Sequence, residues 1–124
     1  MNTISVVPSH DRYQPSHCHI TTTKGIYNLP LDEILFIESQ QKKSMVHTKN
    51  GVLPLSLPLY RVKKALPASF FLQTHRSFLV NLNNISYIDK QKDPWTIHFF
   101  STEKQAYISR SFRHQIMDAV ILSD

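Results

Sequence analysis

The chain reads as mostly β, with one short internal helix and a second helix at the C-terminus. Short runs rich in β-branched and aromatic residues recur along its length. Turn signals separate them: Gly25, Asn50-Gly51, Asp93-Pro94 and the stretch Ser101-Thr102-Glu103-Lys104. A helical period surfaces in only two places, after Pro58 and after Ser109.

Taken in order, residues 1–19 read as a flexible N-terminal arm, because Pro8, Pro15, scattered serines and histidines give no apolar period. The domain itself is expected over residues 20–124. Residues 20–24 are β-forming, Gly25 permits a turn, and 26–29 return as the second arm of a hairpin. A run suited to burial follows at 34–38, then a polar loop, Gln40-Gln41-Lys42-Lys43-Ser44, and a strand over 45–49. Asn50-Gly51 is the strongest hairpin signal, since a type I′ turn needs positive φ at both central residues, and 52–55 would be the return strand. Ser56 can cap a short helix whose Leu59, Val62 and Leu66 share a face, with Pro58 in the first turn and Pro67 at its close. Strands resume over 70–74, 77–81, 85–88, 95–100 and 105–108. From Ser109 the spacing predicts a helix with Phe112, Ile116, Ala119 and Val120 on its apolar face and Arg110, Arg113 and His114 opposite. Phe36, Phe70, Phe71, Phe78, Trp95, Phe99 and Phe100 mostly read as core, although Phe99-Phe100 sends one ring to each side of its strand, leaving one for the surface or an interface.

Composition narrows the function classes. At 124 residues the chain suits one domain with one core, and its 41% apolar content excludes disorder. No apolar run reaches the ~18 residues of a membrane span. Two glycines, neither in a phosphate-cradling motif, argue against a nucleotide-hydrolysing enzyme. A carboxylate pair, a Ser-His-Asp pattern or a metal box is likewise absent from the sequence, so no enzymatic activity is expected. The single cysteine, Cys18, permits no internal disulfide and fits a reducing cytoplasm. His10, His17, Cys18 and His19 are metal-ligand types, but adjacent residues of an extended chain point to opposite sides, so no metal or other cofactor is expected.

Charge is more specific. The net charge is +5, and residues 39–88 contain no Asp or Glu at all. The same stretch holds Lys42, Lys43, Lys49, Arg61, Lys63, Lys64 and Arg76, with His47 and His75. A solvated face normally mixes both signs, so an acid-free basic stretch of this length points to a polyanionic partner.

Within it, His75-Arg76-Ser77-Phe78-Leu79-Val80-Asn81 sits between β-forming runs and precedes Ile85-Ser86-Tyr87-Ile88. This signature closely resembles that of the LytTR family of bacterial DNA-binding domains. The likeness extends to Ile34-Leu35-Phe36-Ile37-Glu38-Ser39 and to Ile108-Ser109-Arg110-Ser111-Phe112, covering residues ~20–120. It implies a stack of small antiparallel sheets whose connecting loops, rather than a recognition helix, enter the DNA grooves.

Three segments carry the chemistry this requires. Lys42 and Lys43 can neutralise phosphates and Ser44 can donate to them. Taken alone, a Lys-Lys loop is more often a solvated turn; the resemblance implies one that reaches into a major groove. Some relatives have histidine or arginine where this chain has Ser44 and Met45. In the second segment the Arg76 fork suits O6 and N7 of guanine, worth about 1–3 kcal/mol of discrimination. His75 either fixes that loop or touches DNA, Ser77 suits a phosphate or a turn, and Asn81 holds a turn. The third segment is Arg110 and Ser111 with Arg113 and His114. Cations in a first helical turn oppose the helix dipole and gain a purpose if an anion binds there.

The resulting expectation is a bacterial transcription regulator that binds double-stranded promoter DNA, with two copies on direct repeats or a partner regulator as the family implies. Relatives usually carry a receiver domain or a membrane segment before this one; the chain is either a stand-alone regulator or a piece of a longer protein, and Met1 followed by a polar arm favours the first as the expectation. The competing reading is a protein-interaction module that antagonises a related regulator without binding DNA.

Overall fold

A computed structural model of the chain describes residues 2–7 and 16–122, with side chains described as far as residue 120. Its described residues form three antiparallel sheets, of strand order β1-β2-β3, β6-β5-β4-β8-β7 and β11-β10-β9. The first sheet contains β1 (Thr3–Val7), β2 (His17–Thr22) and β3 (Gly25–Pro30). The second holds β4 (Ile34–Gln40), β5 (Lys43–Thr48), β6 (Gly51–Leu55), β7 (Phe71–His75) and β8 (Phe78–Asn81). The third holds β9 (Ile85–Asp89), β10 (Trp95–Phe99) and β11 (Gln105–Ile108). Helix α1 (Leu59–Ala65) lies between β6 and β7, and α2 (Arg113–Leu122) closes the described chain.

The five-stranded sheet is the middle layer, and its central strands β4 and β8 are buried on both faces. That is why they read as unbroken apolar runs rather than as alternation. On one side Ile34, Ile37, Val46, Leu55 and Leu79 pack with Cys18 and Ile20 of the first sheet and Leu59 and Val62 of α1. On the other, Leu35, Phe36, Phe78 and Val80 pack with Ile97, Phe99, Ala106 and Ile108 of the third sheet and Ile116 of α2. The expected single core is therefore two apolar layers separated by a sheet. A shift of register between Ile34 and Phe36 puts the successive side chains Leu35 and Phe36 into the same layer, as a β-bulge does.

Four local expectations are corrected. The segment 1–19 is not an arm at its two described ends. Thr3–Val7 pairs antiparallel with residues 17–21, Ile4 and Val6 pack on the first apolar layer, and Cys18 is fully buried there. The middle of that segment, 8–15 with His10, lies outside the described residues. Ser56 does not cap α1; Pro58 is its N-cap, with no side-chain bond. The turn at Asn50-Gly51 is set one residue earlier, with Lys49 and Asn50 central and Gly51 paired to Thr48. Neither central residue has positive φ, so it is not type I′. The C-terminal helix begins with a 3-10 turn at Arg110–Phe112 and becomes α-helical at Arg113.

A candidate nucleic-acid interface

Backbone pairing brings the three sequence-predicted segments to one end of the stacked sheets. Gln40 pairs with Lys43, leaving Gln41 and Lys42 as a tight two-residue turn rather than an open loop. Glu38 pairs with Phe78, and just beyond that pair the Ser39 N–H donates to the Ser77 carbonyl at 2.8 Å. The β4–β5 turn thus stands beside the β7–β8 turn at Arg76-Ser77. On the far side of β7, the Ser109 N–H donates to the Thr74 carbonyl at 3.0 Å, and the Thr74 hydroxyl to the Tyr107 carbonyl at 2.9 Å. The start of the C-terminal helix is therefore fixed at the base of the same turn.

The β4–β5 turn is strained. Gln41 and Lys42 have φ of 50° and 67°, left-handed values that cost non-glycine residues about 1–3 kcal/mol each. Lys42 and Lys43 are exposed, and neither ammonium has an ion-pair partner among the described residues. Ser44 is placed differently from expectation. It is fully buried, and its hydroxyl donates to the Leu57 carbonyl at 2.7 Å, so it ties β5 to the entry of α1 instead of facing a phosphate.

At the second turn, Arg76 is exposed and its guanidinium is likewise uncommitted among the described residues. His75 fixes the loop: its Nδ1 accepts from the Ser77 N–H at 3.0 Å, which puts the ring proton on Nε2. Gln73, which sequence reasoning passed over, spans the turn by donating to the carbonyls of His75 and Arg76 at 3.2 and 3.4 Å. Its own oxygen accepts from Lys63 Nζ at 3.0 Å, extending the basic surface onto α1. Asn81 is buried and holds a turn, as expected, donating to the carbonyls of Leu31 and Ile34 and accepting from the Asn83 N–H.

The third segment departs most from its expected form. Arg110 is well exposed, yet its guanidinium meets Asp93 at 3.0 Å. Arg113 does not point outward: it lies 4.5 Å over the Trp95 ring and bridges to the other Asp93 oxygen at 3.1 Å. It fastens the helix start to the β9–β10 loop. His114 is exposed and faces Asp118 one turn on, at 3.6 Å, so the face expected to be basic is partly neutralised. Ser111 is exposed, its hydroxyl 3.5 Å from that of Ser109. The Asp-Pro turn before Trp95 was readable in sequence, but its reach to residues 110 and 113 was not.

Two ionisable groups sit away from this end. The His47 ring stacks on Phe36 at 4.3 Å, meets Glu38 through Nε2 at 3.3 Å and Lys104 through Nδ1 at 3.4 Å. Burial holds the imidazole below its ordinary value; the Lys104 ammonium adds to this and the Glu38 carboxylate opposes it. Burial pushes the Cys18 thiol up to about 12, which makes it inert. Its side chain enters the core on the face of β2 opposite His17 and His19, so the three cannot converge on one metal ion.

Comparison with known proteins bears on the family and the fold. The model of the LytTr DNA-binding domain family matches residues 24–120. The fold aligns with the solved LytTr DNA-binding domain of a methyl-accepting/DNA response regulator from Bacillus cereus. The TM-score is 0.72, with 22% identity over 94% of this chain and 96% of that one. The transcriptional regulatory protein YpdB of Escherichia coli K12 is 37% identical over 68 residues, 53% of this chain and 25% of YpdB. The transcriptional regulatory protein NatR of Bacillus subtilis is 28% identical over 98 residues, 78% of this chain and 39% of NatR. The chain thus spans well under half the length of these curated relatives. No helix among the described residues is long and apolar enough to cross a membrane. The chain belongs to the LytTR family of DNA-binding domains.

Proposed function

We propose that this chain binds double-stranded promoter DNA sequence-specifically, as a bacterial transcription regulator, through the turns gathered at one end of its sheets. The observation that carries this reading is the juxtaposition of Lys42, Arg76 and Arg110 on three neighbouring turns. Arg76 and Lys42 in addition have no acidic partner among the described residues. Lys42 and Lys43 position the backbone, Arg76 reads a base edge, and Arg110 exchanges Asp93 for DNA. His75, Gln73 and Ser77 keep the β7–β8 turn in shape. Relatives bearing the names of transcriptional regulators support the regulatory role. Acting on the chromosome places the chain in the cytoplasm, and two copies on repeated half-sites is the arrangement the family resemblance favours. The competing module that antagonises a regulator without touching DNA has no use for an uncommitted arginine at the tip of a buttressed turn.

The test is selection of binding sites from genomic fragments, followed by titration of the selected duplex and a scrambled one at stated salt. Arg76→Ala should lose about 1–3 kcal/mol on the selected duplex and much less on the scrambled one. Equal losses on both would reduce Arg76 to a phosphate contact, and absence of any enriched duplex would sink the reading.

A further inference from the structure

We propose that the β2–β3 turn of the N-terminal sheet is a fourth DNA contact, in which Lys24 and Lys43 clasp one backbone phosphate outside the bases read by the other turns. This rests on the DNA-binding reading above and extends it. A cleft of about 240 Å³ separates that turn from the edge of the middle sheet, lined among others by Thr22, Thr23, Lys24, Tyr27, Lys43 and Ser56. Among the described residues, no carboxylate lines it. Neither lysine ammonium has an ion-pair partner among the described residues, and the hydroxyls of Thr23, Tyr27 and Ser56 have no hydrogen bond there either. Two like charges facing one small cleft repel each other, and an anion between them reverses the sign of that interaction.

The chain holds Lys24 in place by a device it uses twice. The Thr22 hydroxyl accepts from the Lys24 N–H at 3.1 Å and donates to the Gly25 carbonyl at 3.4 Å. The Thr48 hydroxyl does the same with Asn50 and Gly51, at 3.2 and 3.1 Å. Only the first of these turns stands at the end where the three candidate contacts lie. Lys43 adjoins Lys42 directly, so the cleft continues the proposed interface. A backbone phosphate fits better than a base, because lysine is a point charge without an edge-reading fork.

The test is a set of anisotropy titrations of the full chain with its selected duplex between 50 and 200 mM salt, comparing the parent with Lys24→Ala, Lys24→Arg and Lys42→Ala. Removing one phosphate contact flattens the log–log salt slope by about 0.9, so the deficit of Lys24→Ala should shrink about 3.5-fold across that range. Preference for the selected over a scrambled duplex should stay unchanged, and Lys24→Arg should restore the parent slope. Trimming the duplex on the flank that Lys24 reaches should weaken the parent but not Lys24→Ala. A Lys24→Ala protein with the parent's affinity, or with weaker binding at an unchanged slope, overturns the proposal while Lys42→Ala still shows its loss. If Lys42→Ala is also silent, it is the DNA-binding reading that has failed.

Discussion

Arg110 and Arg113 share one carboxylate, Asp93, yet differ in what surrounds them. The Arg110 side chain is 79% exposed, the Arg113 side chain 28% and laid on Trp95. An exposed ion pair contributes about 0–1 kcal/mol, whereas a partly desolvated guanidinium on an indole adds about 1–2 kcal/mol. Arg110→Ala should therefore leave stability within about 0.5 kcal/mol while weakening DNA binding, and Arg113→Ala should cost about 1–2 kcal/mol of stability. Urea unfolding of both variants checks this; equal destabilisation would contradict the assignment. His47 supplies a second prediction at this scale. Its imidazole charges more readily in the unfolded chain, at the ordinary value of 6.5, than in the fold, where it is buried and stands beside Lys104. The unfolded state thus takes up the extra proton, and the histidine's contribution, whole above that pH, is lost as pH falls below it. Between pH 7 and 5 the melting temperature of the parent should drop more steeply than that of His47→Gln. Parallel curves would remove the Lys104–His47–Glu38 chain from the account.

At the scale of elements, the β4–β5 turn trades stability for placement. Asn-Gly is the favoured pair for a two-residue turn with positive φ at both positions, whereas this chain puts Gln41 and Lys42 there. Replacing the pair by Asn-Gly should stabilise the fold by about 1–2 kcal/mol, yet flatten the salt dependence of DNA binding by one contact. A destabilised variant would mean that the turn is not strained. This turn was hidden in the sequence because nothing in Gln-Lys signals left-handed backbone, and so it read as a longer loop. The opposite holds for β4, whose unbroken apolar run already read as suited to burial. α1 was legible from Leu59 and Val62, while its cap was not, since Pro58 stands at the N-cap in extended conformation and makes no side-chain bond.

For the molecule as a whole, the largest gap between sequence and structure is the first sheet. Thr3–Val7 does alternate between exposed and half-buried, but five residues of alternation gain meaning only from the partner strand some fifteen residues away. Deleting residues 1–19 should therefore lower the melting temperature by many degrees, because it removes β1, half of β2 and the buried Cys18 from one apolar layer. An unchanged transition would return that segment to the status of an arm. The ends of the other two sheets were legible as separate basic segments because each is a local motif. That they form one surface depends on hydrogen bonds such as Ser39 to Ser77 and Ser109 to Thr74, which no local pattern encodes.

This one end of the sheet stack is the surface proposed to meet DNA. That contact is tested most directly by following backbone amide shifts of the full chain as its selected duplex is added. The largest changes should fall at residues 41–43, 75–77 and 109–111, with little change at the opposite end, at 49–51 and 100–104. Changes concentrated at 49–51 and 100–104, with the three turns silent, would contradict that placement.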